Sequence, residues 1–210
     1  MATSNTVESK GNASSTPPFF LRWIFGDPQE TFPDPVTGLS QRDRNYIIDT
    51  WTLIRRDIRA NSMALFVALF ARYPEYQRIF PTFATVPLHE LPRNEVVKAH
   101  ALVVFYFFTN LVEAMDDSDL MTELVRKNVR NHLRRPMGPQ NFANMAELLV
   151  EVMQDRLRSR MTPGAVRAWK TLLAFCQKVT VEVYAEHKRA IEMGKPRGIL
   201  SPPAQPPADK

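Results

Sequence analysis

Apolar residues recur at steps of three and four positions through the middle of the chain, which is the spacing of one helix face. The first such face follows a capping-box-like start at Ser40 and Asp43. Its members are Ile47, Trp51, Ile54 and Ile58. Between positions 39 and 190 the only glycines are Gly138 and Gly164. The pattern therefore predicts an all-α protein that needs no strands.

Further helical segments are indicated downstream, bounded by prolines and capping residues. The second helix ends at Tyr73-Pro74, because proline disfavours helical geometry at the residue before it. The stretch from Asn94 to Met115 is apolar almost all round in its centre, which predicts a buried helix. Three later helices are expected to begin at Ser118, near Pro139 and at the pair Thr162-Pro163, and the first of them to end near His132.

Proline marks the two ends of the chain and so suggests its organisation. Ten of the 17 prolines lie in residues 1–38 and 196–207. We predict an extension at 1–38 that is mostly disordered, a single domain at 39–187, and a proline-rich tail at 188–210. The apolar segment Phe19–Phe25 is the exception in the extension. It is expected either to pack on the domain or to act as an anchor, through weak contact with a membrane surface or through contact with a partner.

Several protein classes are excluded by composition. The longest uninterrupted apolar run, Ala101–Phe108, is far shorter than the roughly 18–20 residues of a membrane-spanning helix, so no transmembrane segment is expected. The polar first residues do not match a signal peptide, and we expect a cytoplasmic protein. A single cysteine, Cys176, allows no internal disulfide and no Cys-rich zinc site. We predict that it packs in the core; the alternative is a redox-sensitive thiol.

The charge balance raises the question of a nucleic-acid partner. The chain carries 27 Lys and Arg against 22 Asp and Glu, a formal charge of +5. The basic residues occur in short pairs, mostly interleaved with acids and without interspersed aromatic residues. We therefore predict no nucleic-acid binding. Oligomeric state stays open between monomer and homodimer.

Two histidines lie in apolar surroundings and are the candidates for chemistry. His100 lies inside the long apolar segment, and His132 lies at the end of the next helix. Neither has a cysteine or carboxylate at zinc-ligand spacing. His89 and His187 are expected to be ordinary surface residues.

The motifs around these histidines resemble those of globins. From Leu39 to His187 the chain carries, in globin order, Pro74-Glu75 followed by Phe80, then Lys98-Ala99-His100, and then His132 followed by Pro139 and Phe142. The resemblance implies a globin fold, a three-over-three helical sandwich around haem. Among globins, the chain resembles in particular neuroglobin, cytoglobin and extended invertebrate globins, many of which have a six-coordinate iron.

The resemblance also implies a site. His132 matches the proximal iron ligand, His100 matches the distal histidine, and Phe80 matches the phenylalanine that packs on the porphyrin. Other positions implied to contact the cofactor are Phe66, Phe83, Lys98, Val104, Met137 and Phe142. Cations that could meet the haem propionates are Lys98, Arg93 and Arg134 or Arg135. Two residues depart from the family pattern: Phe66 replaces a frequent tyrosine, and Asn128 replaces a usual leucine.

The implied function is that of a haem b globin that binds dioxygen, carbon monoxide and nitric oxide. We expect a six-coordinate iron held by both histidines, with a role in redox chemistry, gas sensing or nitric oxide removal. The chain has no glycine fingerprint for flavin or nicotinamide, so a reductase would be a separate partner, and no motif dedicates the chain to catalysis. The alternatives are a five-coordinate oxygen store or transporter, and a haem-free interaction module.

Overall fold

The computed structural model describes residues 32–194, and all regular structure within that range is helical. The predicted all-α class is confirmed there. Two short 3-10 segments, Leu88–Arg93 and Arg158–Arg160, accompany the α-helices. In chain order, the α-helices of this range are α1 (Gln41–Arg55), α2 (Ile58–Arg72), α3 (Pro74–Gln77), α4 (Glu95–Glu113), α5 (Ser118–Arg130), α6 (Pro139–Leu157) and α7 (Pro163–Glu192).

Most helix starts follow the predicted caps. The Ser40 hydroxyl accepts from the Asp43 backbone N–H while the Asp43 carboxylate accepts from the Ser40 backbone N–H, which forms a complete capping box on α1. Asn94 caps α4, and Thr162 caps α7 with Pro163 at the first helical position. α7 continues to Glu192, five residues past the predicted end of the domain at 187.

One predicted helix boundary was wrong, and two others differ from the structure by no more than two residues. Ile58 begins α2 rather than extending α1, because Asp57 accepts a hydrogen bond from the Ala60 N–H and caps a new helix. Asp117, not Ser118, caps α5, since its carboxylate accepts from the Leu120 N–H. α5 ends at Arg130, so His132 lies in the turn that follows the helix rather than within it.

The folded part begins before Leu39. The Asp34 carboxylate accepts hydrogen bonds from the backbone N–H groups of Val36 and Thr37, and Thr37 and Leu39 are buried. Gly38 completes this turn at a φ of +73°, a left-handed conformation that favours glycine. The apolar segment Phe19–Phe25 lies outside the described residues.

α7 packs against α1, α5 and α6, while α2 packs against α4 and α6. Within residues 32–194, one helix, α4, is long and apolar enough to cross a membrane by length and composition. α4 contributes Val97, Ala101, Phe105, Phe108 and Leu111 to the core of the domain. The face of α4 opposite these core residues is therefore available to line a cleft.

Two tryptophans join the centre of the core. The ring centroids of Trp51 in α1 and Trp169 in α7 lie 5.5 Å apart. The Trp51 Nε1–H donates to the Thr109 hydroxyl at 3.1 Å, and the Trp169 Nε1–H donates to the Thr50 hydroxyl at 2.9 Å. Each threonine hydroxyl in turn donates to a backbone carbonyl of its own helix. Helices α1, α4 and α7 are therefore connected by hydrogen bonds inside an apolar region.

Replacing Thr50 with valine tests this connection. Thr50 is only 3% exposed, so Thr50→Val leaves the Trp169 N–H buried without an acceptor. We expect the free energy of unfolding to fall by about 1–3 kcal/mol, measured by urea denaturation. Thr52→Val is the matched control, because Thr52 lies on the same helix and is exposed. Equal losses in the two variants would contradict a role for the Thr50 hydroxyl.

Candidate functional site

A single cleft contains both candidate histidines. Helices α2, α3, α4, α5 and α6 line it, together with residues of the turns after α3 and α5. Most of the lining is apolar. Its members are Phe66, Leu69, Tyr76, Ile79, Phe80, His100, Val103, Val104, Phe107, Asn128, His132, Met137, Asn141, Phe142 and Met145.

The turn after α5 fixes the position of His132. The His132 backbone N–H donates to the Val129 carbonyl at 2.8 Å, so the chain tightens into a 3-10-type turn at the helix end. Its ring Nδ1 lies 2.7 Å from the Asn128 carbonyl oxygen. Because a carbonyl only accepts, Nδ1 carries the proton and Nε2 keeps a free lone pair. The Phe142 ring meets the imidazole edge to face at 5.3 Å.

His100 lies among aromatic rings on the other wall. The Phe80 ring centroid is 4.8 Å from that of His100, and Phe66 meets the imidazole edge to face at 5.2 Å. Burial lowers the pKa of His100 to about 4, and the nearby charges of Arg135 and His132 lower it in the same direction. Burial also lowers the pKa of His132, although its hydrogen bond to Asn128 opposes this. Both imidazoles are therefore neutral near pH 7, with lone pairs available to a metal.

Arg135 is a predicted candidate cation that contacts a residue of the cleft wall. Its guanidinium carbon lies 5.6 Å from the Phe80 ring centroid, and its charge lowers the pKa of both histidines. Arg93, Arg134 and Arg135 are all exposed and none is among the lining residues, so the contact with Phe80 is what distinguishes Arg135. The structure therefore favours Arg135 over the other arginines as the group that meets a carboxylate at this cleft.

Two predicted cofactor contacts do not line the cleft. Lys98 faces a separate groove formed with α2, and its ammonium group pairs with Glu95 at 2.8 Å. Phe83 is buried behind Phe80, with the two rings stacked at a centroid distance of 4.8 Å. In this structure Lys98 therefore lies outside the cleft, and Phe83 packs against the cleft residue Phe80.

Several residues that line the cleft were not predicted from the sequence. Val103 and Phe107 lie three and seven positions after His100, which is the helical spacing of one face, so that signal was present. Tyr76 and Asn141 had no such signal. They come from α3 and the first turn of α6, and the Tyr76 hydroxyl accepts a hydrogen bond from Asn144 on α6.

A smaller cavity adjoins the cleft on the His132 side. It shares Phe107, Asn128, Phe142 and Met145 with the cleft and also contacts Cys176. Burial raises the pKa of the Cys176 thiol to about 12. The thiol is therefore protonated near pH 7 and a poor nucleophile, which favours the packing role over the redox role.

The donor set limits what the cleft can bind. Among residues 32–194 no three His, Cys, Asp or Glu side chains are grouped to hold a bare metal ion. Two neutral imidazoles face a long apolar space with a cation at its edge, which suits a flat apolar cofactor that brings its own metal and carboxylates. The residues present therefore fit haem.

Comparison with known proteins identifies the family. The family model described as Globin matches residues 63–179, more than half of the chain. The chain is 28% identical over 139 residues to a globin of Tritia mutabilis, covering 65% of this chain and 95% of that globin. It is 26% identical over 150 residues to Cytoglobin-1 of Oryzias latipes, covering 70% and 85% respectively. The hexacoordinated heme protein from an anhydrobiotic tardigrade has a similar structure, with a TM-score of 0.68, 22% identity, and coverage of 72% and 99%.

The fold and the site together define an all-helical protein with a cofactor cleft between two histidines. The extent of the family match makes the assignment direct: the chain belongs to the globin family. Globins bind haem and diatomic gases such as dioxygen. The predicted three-over-three globin fold is confirmed by the structural similarity.

Proposed function

We propose that this protein binds haem b between His132 and His100 as a six-coordinate globin, and that diatomic gases compete with His100. One observation carries the proposal: the two imidazoles occupy the same apolar cleft, both neutral, and the His132 ring has Nε2 free. When bound, haem iron supplies reversible gas binding and one-electron redox chemistry. The chain supplies the ligands, the orientation and a water-poor surrounding.

Each cleft residue has a defined part in this proposal. The hydrogen bond to Asn128 sets the tautomer and orientation of His132, and the Phe142 ring restricts its rotation. Phe80 lines the cleft beside His100 and, in this proposal, contacts the porphyrin. Arg135, which lies over the Phe80 ring in this structure, is the proposed partner of a propionate.

His100 acts as the gate for gases. Phe66, which contacts it, has no group that can donate a hydrogen bond to a bound gas, so His100 is the polar group available on that wall. An imidazole that binds iron must leave before a gas can bind, and the apparent gas affinity falls by the fraction of open molecules. The similarity to a hexacoordinated heme protein supports this form.

The physiological role follows from that gating. A gated iron suits redox chemistry, gas sensing or nitric oxide removal better than bulk oxygen storage or transport, which remains the second candidate. Electrons for such work come from a separate reductase. A cytoplasmic location is part of the proposal, supported by a chain whose single cysteine offers no internal disulfide.

The absorption spectrum of the dithionite-reduced, ligand-free protein tests the proposal. We expect a Soret band together with sharp, split bands in the visible region, as for iron with two imidazole ligands. A single broad visible band would instead indicate an open site and favour oxygen storage or supply. Purified protein that takes up no haem and shows no Soret band would favour the haem-free interaction module.

A further inference from the structure

The C-terminal end of α5 and the turn after it form a stretch without acidic residues. From Leu124 to Ala146 the chain contains no Asp or Glu. The same stretch contains five basic residues, namely Arg126, Lys127, Arg130, Arg134 and Arg135. The overall excess of basic residues is therefore concentrated in this stretch, which is an exception to the interleaving of basic and acidic residues along most of the chain.

Only part of this charge is neutralised by the fold. Arg126 pairs with Glu186 of α7 and with Glu123, and Arg130 pairs with Glu123 at 3.5 Å. In the part of the chain that the structure describes, no acidic side chain lies within ion-pair distance of Lys127, Arg134 or Arg135. All three side chains are exposed. We refer to Lys127, Arg130, Arg134 and Arg135 as the basic corner.

The basic corner borders the cofactor cleft. His132 lies between Arg130 and Arg134 in the chain, and its ring lines the cleft. Arg135 reaches the Phe80 ring from the same turn. A protein bound at this corner would therefore be close to the edge of a cofactor held by His132.

We propose that the basic corner docks the acidic surface of a one-electron donor protein that reduces the haem iron. This inference rests on the proposed function. In the step, one electron passes from the donor to ferric iron and gives ferrous iron, and no bond is formed or broken. Opposite charges steer such an encounter and raise its rate at low salt.

A protein partner fits this surface better than nucleic acid does. Residues 126–135 contain no Phe, Tyr or Trp on which a base could stack, and the one ring there, His132, belongs to the cleft. These 210 residues contain no nucleotide-cofactor fingerprint, and the proposal accordingly uses an external electron donor.

The experiment uses flavodoxin, an acidic flavoprotein, as the probe. Haem loading of each full-length variant is first confirmed by its Soret band, so failure of the proposed function is detected separately. Stopped-flow spectroscopy then measures reduction of the ferric protein by flavodoxin hydroquinone. We expect Lys127→Glu/Arg134→Glu to slow the second-order rate at low salt roughly 10-fold or more, with the difference disappearing at high salt. Arg135 is left unchanged because it is assigned to the haem.

The matched control variant has the same net charge as the Lys127→Glu/Arg134→Glu variant. Arg167→Glu/Lys170→Glu changes two exposed residues of α7. Equal slowing in the control would show an effect of total charge alone and would overturn the proposal, as would a rate in the unaltered protein that does not depend on salt.

Two binding measurements complete the test. Calorimetry measures the affinity of oxidised flavodoxin for each haem-free full-length protein. We expect these affinities to rank the proteins in the same order as the reduction rates do, with the Lys127→Glu/Arg134→Glu variant binding most weakly. If a 20-base-pair DNA duplex binds the unaltered protein more tightly than flavodoxin does, and loses that binding in the corner variant, the surface is a nucleic-acid site and the proposal is wrong.

Discussion

The His132→Gly variant is expected to lose most of its haem affinity. It removes the imidazole whose Nδ1 is fixed by the Asn128 carbonyl and whose Nε2 is free for iron. Loss of a residue that only orients a ligand typically costs 10–100-fold in metal affinity, so loss of the ligand itself should cost about 100-fold or more. Haem titration of the apoprotein, followed at the Soret band, measures the change.

Two observations separate this effect from unfolding. Added imidazole can enter the space left by the side chain, so we expect it to restore part of the Soret band in His132→Gly. His89→Gly is the control, because the His89 side chain is 81% exposed. Unchanged haem affinity in His132→Gly would remove His132 from the site and with it the basis of the proposed function.

The His100→Leu variant should change the spectrum without losing the haem. In the dithionite-reduced protein we expect the split visible bands to collapse into one broad band, because leucine cannot bind iron. Carbon monoxide no longer has to displace a protein ligand, so its apparent affinity should rise roughly 10-fold if about one molecule in ten is open in the unaltered protein. Absorption spectra and carbon monoxide titration measure both effects.

Val103→Leu is the matched control for His100→Leu. Val103 lies on the same helix and lines the same cleft, but it offers no ligand. Its variant should keep the split bands. If His100→Leu also kept them, His100 would not be the sixth ligand, and its role would be limited to contacts with the bound gas.

Regular helices were predictable from the sequence because their apolar spacing and capping residues agree. Ser40 with Asp43, Asn94, and Thr162 with Pro163 mark true helix starts. The α1–α2 break was missed because Ile58 keeps the three- to four-residue spacing across it. The signal that identifies the break is the carboxylate of Asp57, which competes for the free N–H groups of the next helix.

The site was predictable where it depends on helices and less so where it depends on turns. His100 and Val104 are one helical turn apart and line the same cleft. Lys98 is two residues from His100, about 200° around the helix, and so it faces away from the cleft. Helical geometry is therefore sufficient to predict that Lys98 and His100 lie on different faces of α4, whereas Lys98 was proposed only because a carboxylate favours a nearby cation.

The choice between Arg134 and Arg135 could not be made from the sequence. The helical repeat ends at Arg130, and the following turn sets the direction of each side chain through hydrogen bonds that no periodicity describes. The same reason applies to Phe83, which lies in the turn-rich stretch before Leu88. Its position behind Phe80 depends on that local path and on the packing of Phe70.

The buried tryptophan pair gives the protein an internal optical reporter. Trp51 and Trp169 lie together in the core of the domain that also contains the cofactor cleft. Haem absorbs light in the range where indole emits, so energy transfer quenches tryptophan emission while haem is bound. Emission that recovers with time after dilution would therefore follow the release of haem directly, without a dye and without a change to the sequence.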